Sequence, residues 1–300
     1  MYVSDCPSMD DTLELFRKEH MKDSRSTHVF CVDYKKKSLE REAVRIRGLM
    51  PQGGRQLDVG TASGFFLRQF HGRLDWHVEG VEPSRVSAQF ARQQFGLSVH
   101  EGFVSGQRFL ASSCDVVCSL DAFGCHRQPQ EDMQEFSRIL TPGELLAIEI
   151  PGHRFRMMTG SGLLYRTFTG RSLRLNAGVN FFHDTRATLT QLAAMAGPEL
   201  KESHPESMPT SGNRLTQLAR NAFDRVSGAL YRATDDRLNF CAKELCIFQK
   251  PNSQCHSVSS LTTAAFKIRL FVRGDCTAEV SLYLKMKGLS YAASPLCCVP

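Results

Sequence analysis

A glycine-containing segment at Arg55–Phe70, RQLDVGTASGFFLRQF, constrains the fold of this chain more than any other stretch. The apolar run around Leu57 and Val59 has the composition of a buried parallel strand. Apolar residues then recur at roughly helical spacing towards Phe70. Between them lies a turn of small residues: Gly60, Thr61, Ala62, Ser63 and Gly64. A strand, a small-residue turn and a helix start predict a nucleotide pocket, because the backbone can approach the ligand and free amides at the helix N-terminus face it.

The spacing within this turn differs from that of a dinucleotide-binding loop, which reads G-x-G-x-x-G. Here Asp58 stands two residues before Gly60, and Gly64 completes G-x-x-x-G. The pattern resembles motif I of the class I S-adenosylmethionine (SAM) methyltransferases. That resemblance implies SAM as the cofactor, with Asp58 near its methionine part, and we expect both glycines to leave space for it. An ordinary tight turn between a strand and a helix is the alternative.

A second acid follows at the spacing that such a pocket requires. Residues 78–84 predict another strand, which ends in Glu82 and is followed by Pro83 and the potential helix cap Ser84. Dinucleotide folds place an acid about 20 residues beyond the glycine loop, where it binds ribose hydroxyls. Glu82 lies close to that offset from Gly60. We therefore expect Glu82 to bind the ribose, and a surface acid at a strand end is the alternative.

The rest of the chain alternates between strand and helix patterns. Strands are predicted at 97–100, 114–120, 144–150, 200–207 and 244–250, and a turn at 141–143. Helices are predicted at 38–49, 84–95, 130–140 and 214–239, and a helix capped by Asp184 or Thr185 is predicted after residue 185. Strands that alternate with helices indicate right-handed βαβ units and a parallel sheet.

The middle of the chain makes the resemblance more specific. CDVVCSLDAFGCHRQP at 114–129 and FSRILTPGELLAIEIP at 136–151 are similar to the small-molecule methyltransferases related to the ubiquinone-biosynthesis O-methyltransferases. The matching residues are Asp115, His126, Arg138, Leu140, Pro142 and Gly143. Cys125, Thr141 and Glu144 depart from the usual Glu, Lys and Gly of that family. The resemblance covers about residues 38–250.

The resemblance implies an α/β fold, namely a doubly wound, mostly parallel seven-stranded sheet with a helical lid insertion. We expect an N-terminal extension at 1–37, the methyltransferase domain at 38–251 and a tail at 252–300. The lid is expected at about 151–186 and 209–238. The tail is either a small hairpin or a poorly ordered appendage.

Ten residues are expected to bind SAM: Asp58, Gly60, Thr61, Ala62, Ser63, Gly64, Glu82, Pro83, Leu120 and Asp121. His126 follows the predicted fourth strand, where ligands gather in such sheets, and is the first candidate for a general base. His183 is the second candidate, and His153 is also considered. A lone histidine in a loop more often has a structural role. No set of cysteine and histidine has the spacing of a zinc site, and no metal is expected.

Composition narrows the classes of protein. The chain has 300 residues, of which 42% are hydrophobic and 23% charged, as in soluble globular proteins. Its formal net charge of +6 does not by itself indicate nucleic-acid binding, and no nucleic-acid module is recognised. No apolar run reaches the roughly 18 residues of a membrane span, and no secretory signal is recognised at the N-terminus. The 11 cysteines lack a C-x-x-C framework, so we expect reduced thiols and a cytoplasmic protein.

The expected function is methyl transfer from SAM to a small-molecule acceptor by direct in-line displacement. Residues 151–182 contain no acid but five arginines, interleaved with aromatic and apolar residues. Such a lid suits an anionic acceptor, and a solvated cationic face is the alternative. A non-catalytic, methyltransferase-like binding or scaffold protein is the second functional class. The sequence indicates neither the acceptor nor the oligomeric state.

Overall fold

The computed structural model describes residues 33–155, 182, 184–207, 214–234, 237–252, 266–270 and 278–282. These residues belong to two compact units, one ending at Asn252 and the other beginning at Ser253. Within the described part of the chain, no helix combines the length and the apolarity needed to cross a membrane.

The first unit contains a seven-stranded sheet. Its strands are β1 (Gly54–Val59), β2 (Trp76–Glu82), β3 (Ser98–Glu101), β4 (Cys114–Leu120), β5 (Leu140–Pro151), β6 (Glu199–Glu206) and β7 (Lys243–Gln249). Their order is β3-β2-β1-β4-β5-β7-β6. The pairs among β1 to β5 are parallel, whereas β7 is antiparallel to both β5 and β6. The carboxyl ends of β1 to β5 therefore share one edge of the sheet with the amino end of β7. Successive strands are added on one side of β1 up to β3 and on its other side from β4 onwards, so the strand order reverses between β1 and β4.

Five helices are described: α1 (Asp33–Leu49), α2 (Arg85–Phe95), α3 (Pro129–Ile139), α4 (Arg186–Ala196) and α5 (Arg214–Ala233). Neighbouring β4 residues point to opposite faces of the sheet, as a strand requires. Val116 packs in a core with Ile46 of α1, and Val117 packs in another core with Phe136 of α3 and Leu189 of α4. Both faces are covered, so the expected doubly wound, mostly parallel fold is confirmed.

Local signals placed several elements correctly. The Ser84 hydroxyl accepts a hydrogen bond from the Ser87 amide and caps α2, which ends at the left-handed Gly96. Thr185 and Thr188 form a reciprocal capping box at the start of α4. The first helix, however, begins at Asp33, five residues before its predicted start. Its first turns are polar, so the apolar spacing could not reveal them.

Two other predictions need correction. The helix expected after the glycine turn is replaced by turns and the short 3₁₀ segment Leu67–Gln69. Phe66 and Phe70 pack in the hydrophobic core between the sheet and α1, whereas Leu67 packs in a third hydrophobic cluster against α2. The segment therefore contributes side chains to two separate clusters. The turn predicted at 141–143 lies inside β5, where the pairing with β4 shifts register between Leu140 and Leu145.

In the second unit, β8 (Phe266–Leu270) and β9 (Ala278–Leu282) form an antiparallel pair, and the character of the tail as a whole stays a prediction. Most of the expected lid at 151–186 lies outside the described residues. Helix α5 occupies most of the expected second lid segment at 209–238.

Candidate active site

The carboxyl edge of the sheet holds a cavity of about 190 Å³ at the point where the strand order reverses. Its lining comes from the ends of β1, β2 and β4, from the residues after β3 and from the start of α3: Val59, Gly60, Ala62, Val81, Glu82, Pro83, Gly102, Phe103, Val104, Leu120, Asp121, Ala122, Cys125, His126 and Asp132. Open α/β sheets bind their ligands at this position. A larger and more open cleft beside α1 and α5 is lined by neither the glycine turn nor Glu82.

Glu82 connects the glycine turn to α2. One carboxylate oxygen accepts a hydrogen bond from the Ala62 amide at 2.8 Å, and the other accepts one from the Ser84 amide at 2.7 Å. The residue is 5% exposed. Each oxygen of a carboxylate has two lone pairs, so Glu82 keeps acceptor capacity for a ligand in the cavity. The turn and the second acid therefore face one common space.

The two glycines of the turn make different contacts. Gly60 has a φ of +84°, and a Cβ there would lie 2.4 Å from Cβ of Ala122, which also lines the cavity. Gly64 has a φ of +79°, and a Cβ there would meet Leu97 and Ala91 at 2.6 and 2.9 Å. A side chain at position 64 would thus press on α2 and on the residue before β3 instead of entering the cavity.

Three further residues of the predicted site lie in the turn or at the end of β1. The Thr61 hydroxyl donates to the Asp58 carbonyl oxygen at 2.7 Å. Asp58, Thr61 and Ser63 are all buried, and none of them lines the cavity. The hydrogen bond of Thr61 links the turn to the end of β1, and any direct contact between Asp58 and a ligand stays a prediction.

Burial changes the ionisation of both acids. It raises the pKa of Asp58 to about 7, and the negative charge of Glu82 adds to the effect. Burial likewise raises the pKa of Glu82 to about 7, although the Ser84 and Ala62 amides partly oppose this. Near neutral pH each carboxyl is therefore only partly ionised, and a cation in the cavity would favour its charged form.

The end of β4 brings Leu120 and Asp121 to the cavity. Asp121 has a φ of +57°, which is uncommon for a residue other than glycine. Its amide donates to the Glu149 carbonyl at 3.1 Å, and its carboxylate lies 3.0 Å from the Lys243 ammonium. The sequence did not reveal Lys243 as a partner, because it lies at the start of β7, far along the chain.

His126 also lines the cavity, and its ring packs against Phe123 and Phe136. Its Nδ1 lies 2.9 Å from Oδ2 of Asp132, a residue that was not among the predicted site residues. The signal for Asp132 was an acid in the first turn of the helix that follows His126. His153 is exposed beyond β5 and does not line the cavity, and His183 lies outside the described residues.

Other residues that match the family pattern lie away from the cavity. Asp115, at the start of β4, accepts hydrogen bonds from the Arg55 side chain and amide. Arg138 pairs with Glu135 and donates to the Phe109 carbonyl. Both residues lie near the edge opposite the cavity, where Asp115 joins the starts of β1 and β4, and Arg138 joins the end of α3 to the segment before β4. Their contacts are structural.

Comparison with known proteins identifies the family. The sequence profile of the methyltransferase domain family matches residues 32–202, more than half of the chain. The chain belongs to this family. The methyltransferase domain so defined contains the glycine turn, Glu82 and the other residues that line the cavity. No curated protein matches the chain.

Solved structures show the same fold. A Mesorhizobium loti SAM-dependent methyltransferase is 17% identical with a TM-score of 0.50, and the match covers 71% of this chain and 100% of that one. A Haloferax volcanii methyltransferase, solved with the Trm112 methyltransferase activator, is 18% identical with a TM-score of 0.50 over 73% and 95% of the two chains. The class I assignment is confirmed. These comparisons do not specify the ubiquinone-type subfamily, which stays a prediction.

Family and fold together support SAM-dependent methyltransferase activity. The described residues of this methyltransferase include no group of three or more His, Cys, Asp or Glu placed to hold a metal ion. No disulfide joins its described cysteines.

Proposed function

We propose that this methyltransferase transfers a methyl group from SAM to a small-molecule acceptor. The observation that carries the proposal is the common cavity of the glycine turn and Glu82 at the switch point of the sheet. In an α/β fold this juxtaposition suits a nucleoside whose ribose hydroxyls donate to the strand-end carboxylate. Membership in the methyltransferase domain family supports SAM over a nicotinamide cofactor.

The chemistry of the cavity fits a positively charged cofactor. Its described lining includes three acids, Glu82, Asp121 and Asp132, and no lysine or arginine. Phe103 and Val104 supply apolar surface for a purine on the β3 side, and Gly60 leaves space where a side chain would intrude. We expect Glu82 to hold the ribose and Leu120 to pack near the adenine.

When bound, SAM supplies a methyl group on a positively charged sulfur, ready for in-line displacement by an acceptor atom. The protein's task is then to orient the acceptor and to exclude water. His126 is the proposed general base if the acceptor must lose a proton. An ionised Asp132 favours the tautomer with the proton on Nδ1, which leaves Nε2 as the acceptor. The arginines of residues 154–174 support an anionic acceptor.

Calorimetric titration of the purified chain with SAM and with S-adenosylhomocysteine tests the proposal. We expect saturable binding of both ligands with one site per chain. A scaffold protein that has lost the cofactor pocket would give no heat with either ligand. That result would overturn the proposal, and it would favour the non-catalytic alternative.

Cofactor binding is also expected to release protons near neutral pH. The pKa values of Asp58 and Glu82 are raised to about 7, so part of the population is protonated in the free protein. A bound cation and ribose hydroxyl donors both favour the carboxylates, so affinity should rise between about pH 6 and 7.5. Titration in buffers of different ionisation enthalpy measures the released protons. A binding heat that does not depend on the buffer would contradict this prediction.

The raised pKa values of Asp58 and Glu82 make the cofactor-free protein less stable as the pH rises, whereas they make SAM binding tighter. A carboxyl whose pKa is raised on folding binds its proton more tightly in the folded state, so folding loses stability as pH rises from about 4 to about 7. Above that range the penalty is constant. In denaturant unfolding without cofactor, the contribution of these two carboxyls to the free energy of unfolding should therefore decline between about pH 4 and pH 7. Saturating SAM should reduce that decline.

A further inference from the structure

A row of four ionisable side chains, of which Lys243, Glu149 and Glu42 are buried and Asp121 is partly exposed, begins at the cavity and runs along the carboxyl edge of the sheet towards α1. Lys243 is 7% exposed, and its ammonium lies between Oε1 of Glu149 at 2.5 Å and Oδ2 of Asp121 at 3.0 Å. Beyond Glu149 lies Glu42 of α1, which is 1% exposed and accepts a hydrogen bond from the Ser38 hydroxyl. Asp121 is the member of this row that lines the cavity.

The ionisation of the row leaves one carboxylate in excess at the cavity end. Burial and the charge of Glu149 raise the pKa of Glu42 to about 9, so Glu42 is neutral and can donate its proton to Glu149. Burial alone would lower the pKa of Lys243, but the charges of Glu149 and Asp121 raise it above its usual value. Glu149 already balances the charge of Lys243 within the interior. The second ion pair of Lys243, with Asp121, is therefore not needed for internal neutrality.

Buried ion networks are weak contributors to stability, because the cost of removing the charges from water offsets their attraction. This network instead contacts a residue whose backbone conformation is uncommon. Asp121 has a left-handed backbone conformation at a strand end, and two contacts hold it there. One is the hydrogen bond that its backbone amide donates to the Glu149 carbonyl oxygen, and the other is its ion pair with Lys243. Such strain is typical of functional positions.

The strand order indicates which end of a bound nucleoside would meet Asp121. With the ribose at Glu82 on β2, the cavity extends one way to Phe103 and Val104 after β3. In the other direction, across β1, it reaches Asp121 after β4. The apolar side suits a purine, and the charged side suits the amino-acid end of SAM, which carries an ammonium group.

We propose that Lys243 is a positioning residue, which holds the Asp121 carboxylate at the cavity so that it receives the ammonium of the cofactor's amino-acid end. This inference rests on the proposed function. Lys243 itself acts through Asp121, while Glu149 and Glu42 keep the lysine in place from the interior.

Two adenosine ligands separate this role from a general structural one. S-adenosylhomocysteine carries the amino-acid end, and methylthioadenosine lacks it. Calorimetry on the full chain should show that Asp121→Asn lowers affinity for S-adenosylhomocysteine at least about tenfold, as expected for the loss of a charge-assisted hydrogen bond. Affinity for methylthioadenosine should stay within about twofold of wild type. The double variant Lys243→Met, Glu149→Gln leaves no unpaired buried charge. It should likewise lose affinity for S-adenosylhomocysteine and keep its affinity for methylthioadenosine.

Four other outcomes would count against the inference. Equal losses for both ligands would mean that the row only stabilises the fold. Unchanged affinity for S-adenosylhomocysteine in Asp121→Asn would mean that the amino-acid end binds elsewhere. If the wild-type chain bound neither ligand, the proposed function itself would fail. Binding of both ligands by wild type without the split in the variants would refute the positioning role alone.

Discussion

Gly60→Val is expected to abolish SAM binding. A Cβ at this position would lie 2.4 Å from Cβ of Ala122, and both residues line the cavity. The φ of +84° is also one that a β-branched residue rarely adopts, so the turn itself would shift. Either change displaces the amide of Ala62 from Glu82. Calorimetric titration with SAM should give no saturable heat, while circular dichroism should still report a folded α/β protein.

A matched glycine separates the effect of space from that of backbone strain. Gly72 has a φ of +80°, but a Cβ there would have no neighbour within 4 Å, and the residue does not line the cavity. Gly72→Val should therefore lower stability and leave SAM affinity unchanged. Wild-type affinity in Gly60→Val would contradict the placement of the cofactor. An equal loss of SAM affinity in both variants would mean that backbone strain, and not the loss of space in the cavity, causes the effect.

The sequence predicted most of the sheet because its strands are buried on both faces. Such strands are continuous apolar runs, and Val116-Val117 in β4 and Leu145-Leu146 in β5 serve the two cores in alternation. The segment after the glycine turn was harder, because Phe66, Leu67 and Phe70 divide between two clusters. A helical count of apolar residues cannot distinguish that arrangement from one helical face.

The predicted site was incomplete for a different reason. Asp58, Gly60 and Glu82 stand in motifs with local spacing, so a single chain reveals them. Lys243 and Asp121 are 122 positions apart, and only the antiparallel placement of β7 brings them together. A buried lysine at a strand start is a weak signal when the sequence does not show which carboxylates surround it.

Glu82→Gln is expected to weaken SAM binding by about 1–3 kcal/mol, the contribution of a charge-assisted pair of hydrogen bonds. The amide oxygen can still accept one backbone hydrogen bond, but the amide nitrogen would face the other donor, either Ala62 or Ser84. Replacing one carboxylate oxygen would thus remove a hydrogen-bond acceptor from both the backbone amide and the ribose. Glu101→Gln is the matched control, because Glu101 pairs with Glu82 across β2 and β3 but is exposed.

The same variant tests where the released protons originate. If Glu82 contributes to proton release through its raised pKa, then Glu82→Gln should reduce the number of protons released on SAM binding near pH 7. The control Glu101→Gln should leave both the affinity and the proton count at wild-type values. Unchanged affinity in Glu82→Gln would mean that another group holds the ribose. Reduced affinity with an unchanged proton count would assign the titration to Asp58, whose burial produces a similar pKa.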